Sequence, residues 1–222
     1  MNTPPPAPQL AAIRNRWLSA ATTALRSDPL VLGAALIGSL GGGRADDWSD
    51  VDLLIVVDDA HLDSDTTAEH LPPGDRTFSI DARHNGPLGT RALSAQYVVD
   101  GLPLWVDWHV HPLSLAAWLP DSTVLLDHRG IPKASTTDSR REPSTPKSPE
   151  EEAALRLALI PIAGKQVARR SPHAAATIHF LGGPHLPDPH AQLRALRELL
   201  TQFPNPPTAT ATYLDLVEQS LH

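Results

Sequence analysis

The sequence predicts an α/β (α+β) protein in two parts: a mixed half of strands and helices over about residues 1–131, then an all-α helical bundle over 148–222. Three observations predict it. Short apolar runs rich in β-branched residues recur up to residue 131, "VDLLIVVD" (51–58) being the clearest. From residue 151 onward the apolar residues recur instead at helical spacing. Between the two lies "PKASTTDSRREPSTPKSPE" (132–150), a Pro-, Ser-, Thr- and charge-rich stretch that by composition is a linker, with its core at 132–147.

The elements follow in order. "QLAAIRNRWLSAATTALRS" (9–27) spaces Leu10, Ile13, Trp17, Leu18 and Leu25 as one helical face, and Asp28-Pro29 ends it. "VLGAALIGS" (31–39) reads as a short buried strand running into a glycine turn, and 51–58 as a second buried strand. "HLDSDTTAEHLPPGDR" (61–76) is a helix or loop stopped by Pro72-Pro73-Gly74, and "TFSIDARH" (77–84) is a strand. "QYVVDGLPLWVDWHV" (96–110) makes two strands turned at Asp100-Gly101, and "TVLLDHRG" (123–130) adds a short edge strand. Four helices are expected over 151–170, 173–182, 189–203 and 211–221, with Pro161 kinking or dividing the first. Ser148-Pro149-Glu150-Glu151 is a capping box with proline at the first helical position.

Composition narrows the function. The 222 residues hold no cysteine, which excludes disulfides and cysteine-ligated metals and agrees with a cytoplasmic location. No apolar stretch approaches the roughly 18 residues of a membrane span, and "MNTPPPAPQL" lacks a signal peptide's basic and apolar regions. A net charge of −7 argues against a stable nucleic-acid partner. The charge is local: residues 43–65 carry eight Asp and one Arg, and the rest of the chain is neutral overall.

Within that acidic region Asp50 and Asp52 alternate at the mouth of the second strand, so both project to one face. Paired carboxylates repel unless one is protonated or a cation bridges them, and magnesium is the natural bridge for oxygen ligands. Asp107 sits mid-strand among apolar and aromatic residues in "WVDWHV" and needs a partner for the same reason. Asp50, Asp52 and Asp107 together would hold one or two divalent ions. Ahead of them Gly38-Ser39 and Leu40-Gly41-Gly42-Gly43 allow a backbone turn to cradle phosphate oxygens. A phosphate turn beside a metal-binding acid pair is the layout of phosphoryl or nucleotidyl transfer.

"IGSLGGGRADDWSDVDLLIVV" resembles the signature of the DNA polymerase β-like nucleotidyltransferase superfamily: Gly38-Ser39, a ten-residue spacer, then Asp50-Val51-Asp52 entering an apolar strand. The spacer is closest to that of members acting on small substrates. With Asp107 the resemblance extends over roughly 30–130, and the helical half resembles the C-terminal bundle of aminoglycoside and lincosamide nucleotidyltransferases in composition and length. The resemblance implies a nucleotidyltransferase fold with a mixed sheet and an active site in the cleft between the halves. It implies that Gly38-Ser39 contacts the nucleotide phosphates, that Asp50 and Asp52 bind two Mg²⁺ ions, and that Asp107 is a metal ligand or the general base. ATP or another NTP would be the co-substrate, and a small-molecule hydroxyl, such as that of an antibiotic, the acceptor. A homo-oligomer is allowed. The three-glycine run departs from the pattern. At about 1 kcal/mol of helix stability per glycine it predicts a looser turn.

Other residues keep two readings. Lys165 and Arg169, spaced i, i+4, bind triphosphate if they face the cleft and are surface charges if they face solvent. His109 and His111 share the Asp107 face as substrate contacts, extra ligands or a polar strand end. Glu150, Glu151 and Glu152 supply a base or simply compensate the helix N-terminus. Asp46 and Asp47 read as exposed loop residues, Arg44 as surface, and Trp105 and Trp108 as core. Two further classes stay open: an antitoxin-like relative that binds or adenylylates a protein, and a nucleotide binder that has lost catalysis.

Overall fold

The computed structural model describes residues 7–62, 75–134 and 147–222. Residues 1–6, residues 63–74 of the expected helix or loop at 61–76, and most of the linker at 132–150 lie outside the described residues.

An amphipathic helix, α1 (Pro8–Ser27), opens the chain and buries Leu10, Ile13, Arg14, Trp17, Ala21 and Leu25. Strand β1 (Val31–Leu36) runs into a single helical turn, α2 (Gly38–Gly41), and then into β2 (Val51–Val57). After the 3₁₀ turn Asp59–His61 come β3 (Asp75–Asp81), a second 3₁₀ turn at Arg83–Asn85, and the long hairpin of β4 (Arg91–Val99) and β5 (Leu102–Pro112). Asp100 and Gly101 both take positive φ in the hairpin turn, which suits the right-handed twist of the flanking strands. Strand β6 (Thr123–Asp127) ends this half. Four helices follow: α3 (Pro149–Ala168), α4 (Ala174–Phe180), α5 (Pro189–Thr201) and α6 (Thr208–Ser220). The predicted capping box is present, Ser148 accepting from the Glu151 amide while Glu151 accepts from the Ser148 amide. Pro161 does not divide α3, which runs as one helix through it.

The sheet is six-stranded and mixed, in the order β3-β4-β5-β2-β1-β6. Among the described residues β2 pairs with β5 in parallel, and the other neighbouring strands are antiparallel. β2 is buried on both faces except at Asp52, which explains its unbroken apolar run. On the back face Val51, Leu53 and Ile55 of β2 meet Val106 and Trp108 of β5 and are covered by Trp17, Ala21 and Leu25 of α1. The Trp17 ring lies 5.1 Å from Tyr97 and 5.7 Å from Trp108. On the front face Leu54 and Val56 pack under Ala116, Trp118 and Ile131, but only at the β1 side. The rest of that face carries the carboxylates.

The second large core joins the four C-terminal helices to Ala7, Leu10 and Ile13, to Trp48, and to Leu102. The Trp48 ring sits edge-on to Tyr213 at 5.7 Å. No helix among the described residues is long and apolar enough to cross a membrane.

Ser148→Ala removes one arm of the capping box and is expected to lower stability by about 1 kcal/mol. Urea unfolding reads this as a lower midpoint at unchanged slope; an unmoved midpoint would show that the first turn of α3 does not need its cap.

Candidate active site

Parallel strands lie about 4.8 Å apart, and residues directly opposite on them point to the same face. The β2–β5 register places Asp52 opposite Asp107. Two carboxylates thus stand side by side on the front face, flanked on the next strand by Ser94, which pairs with Asp107. Burial first, then the charges of Asp107 and Asp50, push the Asp52 carboxyl up to about 7, against a smaller opposing effect of Lys165. Burial and Asp50 also raise Asp107, opposed by hydrogen bonds from Ser94 and Trp105. Such a pair is short of positive charge.

The Gly38 turn closes on this pair from the end of β1. Gly38 has φ +62, and a Cβ added there would lie 2.3 Å from Asp52 Oδ2. Glycine is required twice over, by conformation and by the approach of the carboxylate. The Ile37 amide donates to the Asp52 carbonyl at 3.0 Å, joining the turn to β2. The expected looseness of the glycine run is not seen. The turn is closed by Gly41 and Gly42 amides bonding to the carbonyls of Ile37 and Gly38, and a Cβ on Gly41 would strike the Leu36 carbonyl oxygen at 2.3 Å. Ser39 sits in this turn, half-buried.

Asp50 lies one residue before β2 and is ion-paired with Lys165, which reaches it from α3 and is itself buried. Arg169, which caps the end of α3, donates from Nε and Nη2 to the two carboxylate oxygens of Asp46 and reaches Ser49 Oγ at 3.3 Å. Burial resists it, but the Arg169 hydrogen bond and charge hold the Asp46 carboxyl below its usual range. Asp47 accepts from the Ala7 amide at 2.7 Å. Asp46 and Asp47 are therefore half-buried anchors and not the exposed loop residues expected, because Arg169 of the C-terminal half meets one and the Ala7 amide ahead of α1 meets the other. Arg44 is exposed and pairs with Asp121 at 3.1 Å.

Lys165 and Asp50 meet at the carboxylate cluster, whereas Arg169 is committed to the loop before it. Among the described residues no three His, Asp or Glu side chains converge tightly enough to hold a metal ion. Asp52 and Asp107 fit a hard divalent cation by donor type and by their excess charge. Asp50 would complete the set only by leaving Lys165. Glu150, Glu151 and Glu152 are thirteen or more residues from Lys165 on one helix, about 20 Å at 1.5 Å per residue, so they sit away from the cluster. Glu151 serves the capping box and Glu152 pairs with Arg156 at 2.8 Å.

A cleft of about 220 Å³ opens beside the pair, with Asp52, Asp107, His109, Ser94 and Asn85 in its lining. Burial pushes the His109 imidazole down, opposed by the charge of Asp107, and its ring lines the cleft. His111 is buried beyond it, and its Nδ1 has no hydrogen-bond partner among the described residues. Trp108 is core, as expected, but Trp105 is half-buried, stacks on Phe78 at 6.0 Å, and donates its Nε1 hydrogen to Asp107 Oδ1 at 3.1 Å.

Ser94, Trp105 and Arg14 escaped the sequence reading. Arg14 is buried and donates to the carbonyls of Asp46, Asp47 and Ser49 at 2.8, 3.4 and 3.0 Å, fixing the loop that leads to Asp50. Its only signal in the sequence is a charge next to the apolar face of an amphipathic helix.

No family model matches the chain, and no curated protein matches it. Among solved structures, one described as "putative nucleotidyltransferase from H. pylori" aligns over 97% of this chain and 96% of its own, at 12% identity and a TM-score of 0.30. A likeness that loose carries no weight for function.

Gly38→Ala is expected to cost about 2 kcal/mol or more through strain and collision with Asp52. Gly43→Ala, also at positive φ but with nothing within 4 Å of the new methyl, is expected to cost about 1 kcal/mol. Equal losses in chemical denaturation would remove the argument from Asp52.

Burial, with neighbouring His109, lowers the His111 imidazole to about 4 from an ordinary 6.5. The unfolded chain takes up this proton first, so the stability is intact above pH 6.5 and is lost as pH falls toward 4, about 3 kcal/mol at most. His111→Leu should remove that part of the acid-side decline. Parallel stability–pH curves for the two proteins between pH 6.5 and 4 would refute it.

Proposed function

We propose that this chain is a nucleotidyltransferase that uses a divalent cation, Mg²⁺ by preference, to move a nucleoside monophosphate from an NTP to a hydroxyl of a small acceptor. The observation that carries the reading is the register of β2 on β5, which sets Asp52 against Asp107 beneath the Gly38 turn. It agrees with the resemblance of residues 37–57 to the Gly-Ser…Asp-x-Asp signature. Asp52 and Asp107 would hold the cation, with Asp50 joining them. When bound, the cation neutralises triphosphate charge and stabilises the charge that develops at phosphorus.

The chain's own residues do the rest. The Gly38-Ser39 turn brings backbone amides and one hydroxyl toward the phosphates. The acceptor hydroxyl oxygen bonds to the α-phosphorus as the bond to the bridging oxygen breaks, and pyrophosphate leaves. The hydroxyl proton passes to water in the cleft, because Asp107 is committed to the cation in this scheme. Lys165, released from Asp50, would pair with a phosphate oxygen. We take ATP as the first nucleotide to test. Aminoglycosides are the leading acceptors, because an acidic cleft draws polycations.

A second reading rests on the Lys165–Asp50 pair. A lysine ammonium that stands permanently in place of a cation would leave a nucleotide-binding protein without transfer.

Pyrophosphate release separates the two, using ATP or GTP, Mg²⁺ and a panel of aminoglycosides, lincosamides and candidate proteins. Asp52→Asn and Asp107→Asn are each expected to lower release at least about a hundredfold. Full activity in either variant would remove the carboxylate pair from the reaction. Nucleotide binding without release on any acceptor would favour the second reading.

A further inference from the structure

Three side chains stand in line across the sheet: Ser94 on β4, Asp107 on β5 and Asp52 on β2. Ser94 is 6% exposed and donates its hydroxyl to Asp107 Oδ1. Trp105, two residues before Asp107 and so on the same face, donates Nε1–H to that same oxygen at 3.1 Å. A carboxylate oxygen has two lone pairs, and these two donors take both. Asp107 Oδ2 accepts no hydrogen bond among the described residues.

The donors are themselves held. The Trp105 ring stacks on Phe78 at 6.0 Å and an interplanar angle of 28°. Gln96 is the β4 partner of both Phe78 and Trp105, and its Nε2 donates to the Ala158 carbonyl of α3 at 3.1 Å. A hydroxyl beside a carboxylate could be ordinary packing. Two donors from different strands converging on one oxygen, with the other left bare beside a second carboxylate, is an arrangement that selects an orientation.

We propose that Ser94 and Trp105 are positioning residues that turn Asp107 so that Oδ2 alone is presented, with Asp52, to a divalent cation. This rests on the cation-dependent reading above. Groups that hydrogen-bond a metal-ligating side chain typically change metal affinity by about 10–100-fold when removed. Neither donor is needed to fill space: Ser94→Ala keeps nearly the same volume, and Trp105→Phe keeps a ring against Phe78.

The test is Mn²⁺ binding followed by paramagnetic resonance, with and without a non-hydrolysable ATP analogue, beside thermal melting of each variant. Ser94→Ala and Trp105→Phe are each expected to weaken Mn²⁺ binding by about tenfold with melting close to wild type, and Ser94→Thr to restore it. In pyrophosphate release the same variants should lower kcat and leave the KM for nucleotide unchanged. If wild type binds Mn²⁺, Asp107→Asn abolishes it, and Ser94→Ala and Trp105→Phe bind as wild type, the positioning role is wrong while the cation site stands. If wild type binds no Mn²⁺ with or without the analogue, the cation-dependent reading and this role fall together.

Discussion

The parallel pairing of β2 with β5 is the constraint from which the rest of the site follows. Slipping that register by one residue would send Asp52 to the back face and Val51 to the front. The back-face core forbids this, because Val51, Leu53 and Ile55 are locked against Val106 and Trp108 beneath α1. Apolar packing on one face of the sheet thereby holds two repelling carboxylates together on the other. The desolvation of Asp52 and Asp107 is carried by the same interlocking core, and removing either acid would relieve the fold while dismantling the site.

The acidic excess between residues 43 and 65 resolves into separate tasks. Asp46 is taken by Arg169 and Asp47 by the Ala7 amide, so both fasten the loop. Asp50 belongs to Lys165. Asp58 caps a 3₁₀ turn through the Ala60 amide, and Asp59 accepts from the Ser114 amide. Only Asp52 lacks a dedicated partner among the described acids of this stretch, and its carboxyl is the one driven up. A run of like charge is thus an average over residues whose individual surroundings differ completely.

Most of the strands and helices were legible because their cause is local. The continuous run at 51–58, the Asp-Gly turn at 100–101 and the Ser148–Glu151 box each carry their own chemistry within a few residues. Alternation and the cost of burying an acid pointed to Asp50, Asp52 and Asp107; the register sets Asp52 and Asp107 as direct neighbours, whereas Asp50 is ion-paired with Lys165. What escaped depends on pairing between distant segments. Nothing near Ser94 announces that β4 will set it against Asp107, and nothing near Asp46 announces Arg169, 123 residues away. Trp105 looked like core because a tryptophan in an apolar strand usually is; its indole N–H found an acid two residues on only because both stand on the open face.

Helix α1 touches both large cores. Its first turns, with Leu10 and Ile13, belong to the helical core, and Trp17, Ala21 and Leu25 belong to the sheet core. Arg14 sits at the change-over and binds the loop entering β2. One helix is therefore packed into both cores and tied near its middle to the loop that enters β2. Such a splint couples the two cores, so that parting one from the other would first require an end of α1 to be unseated.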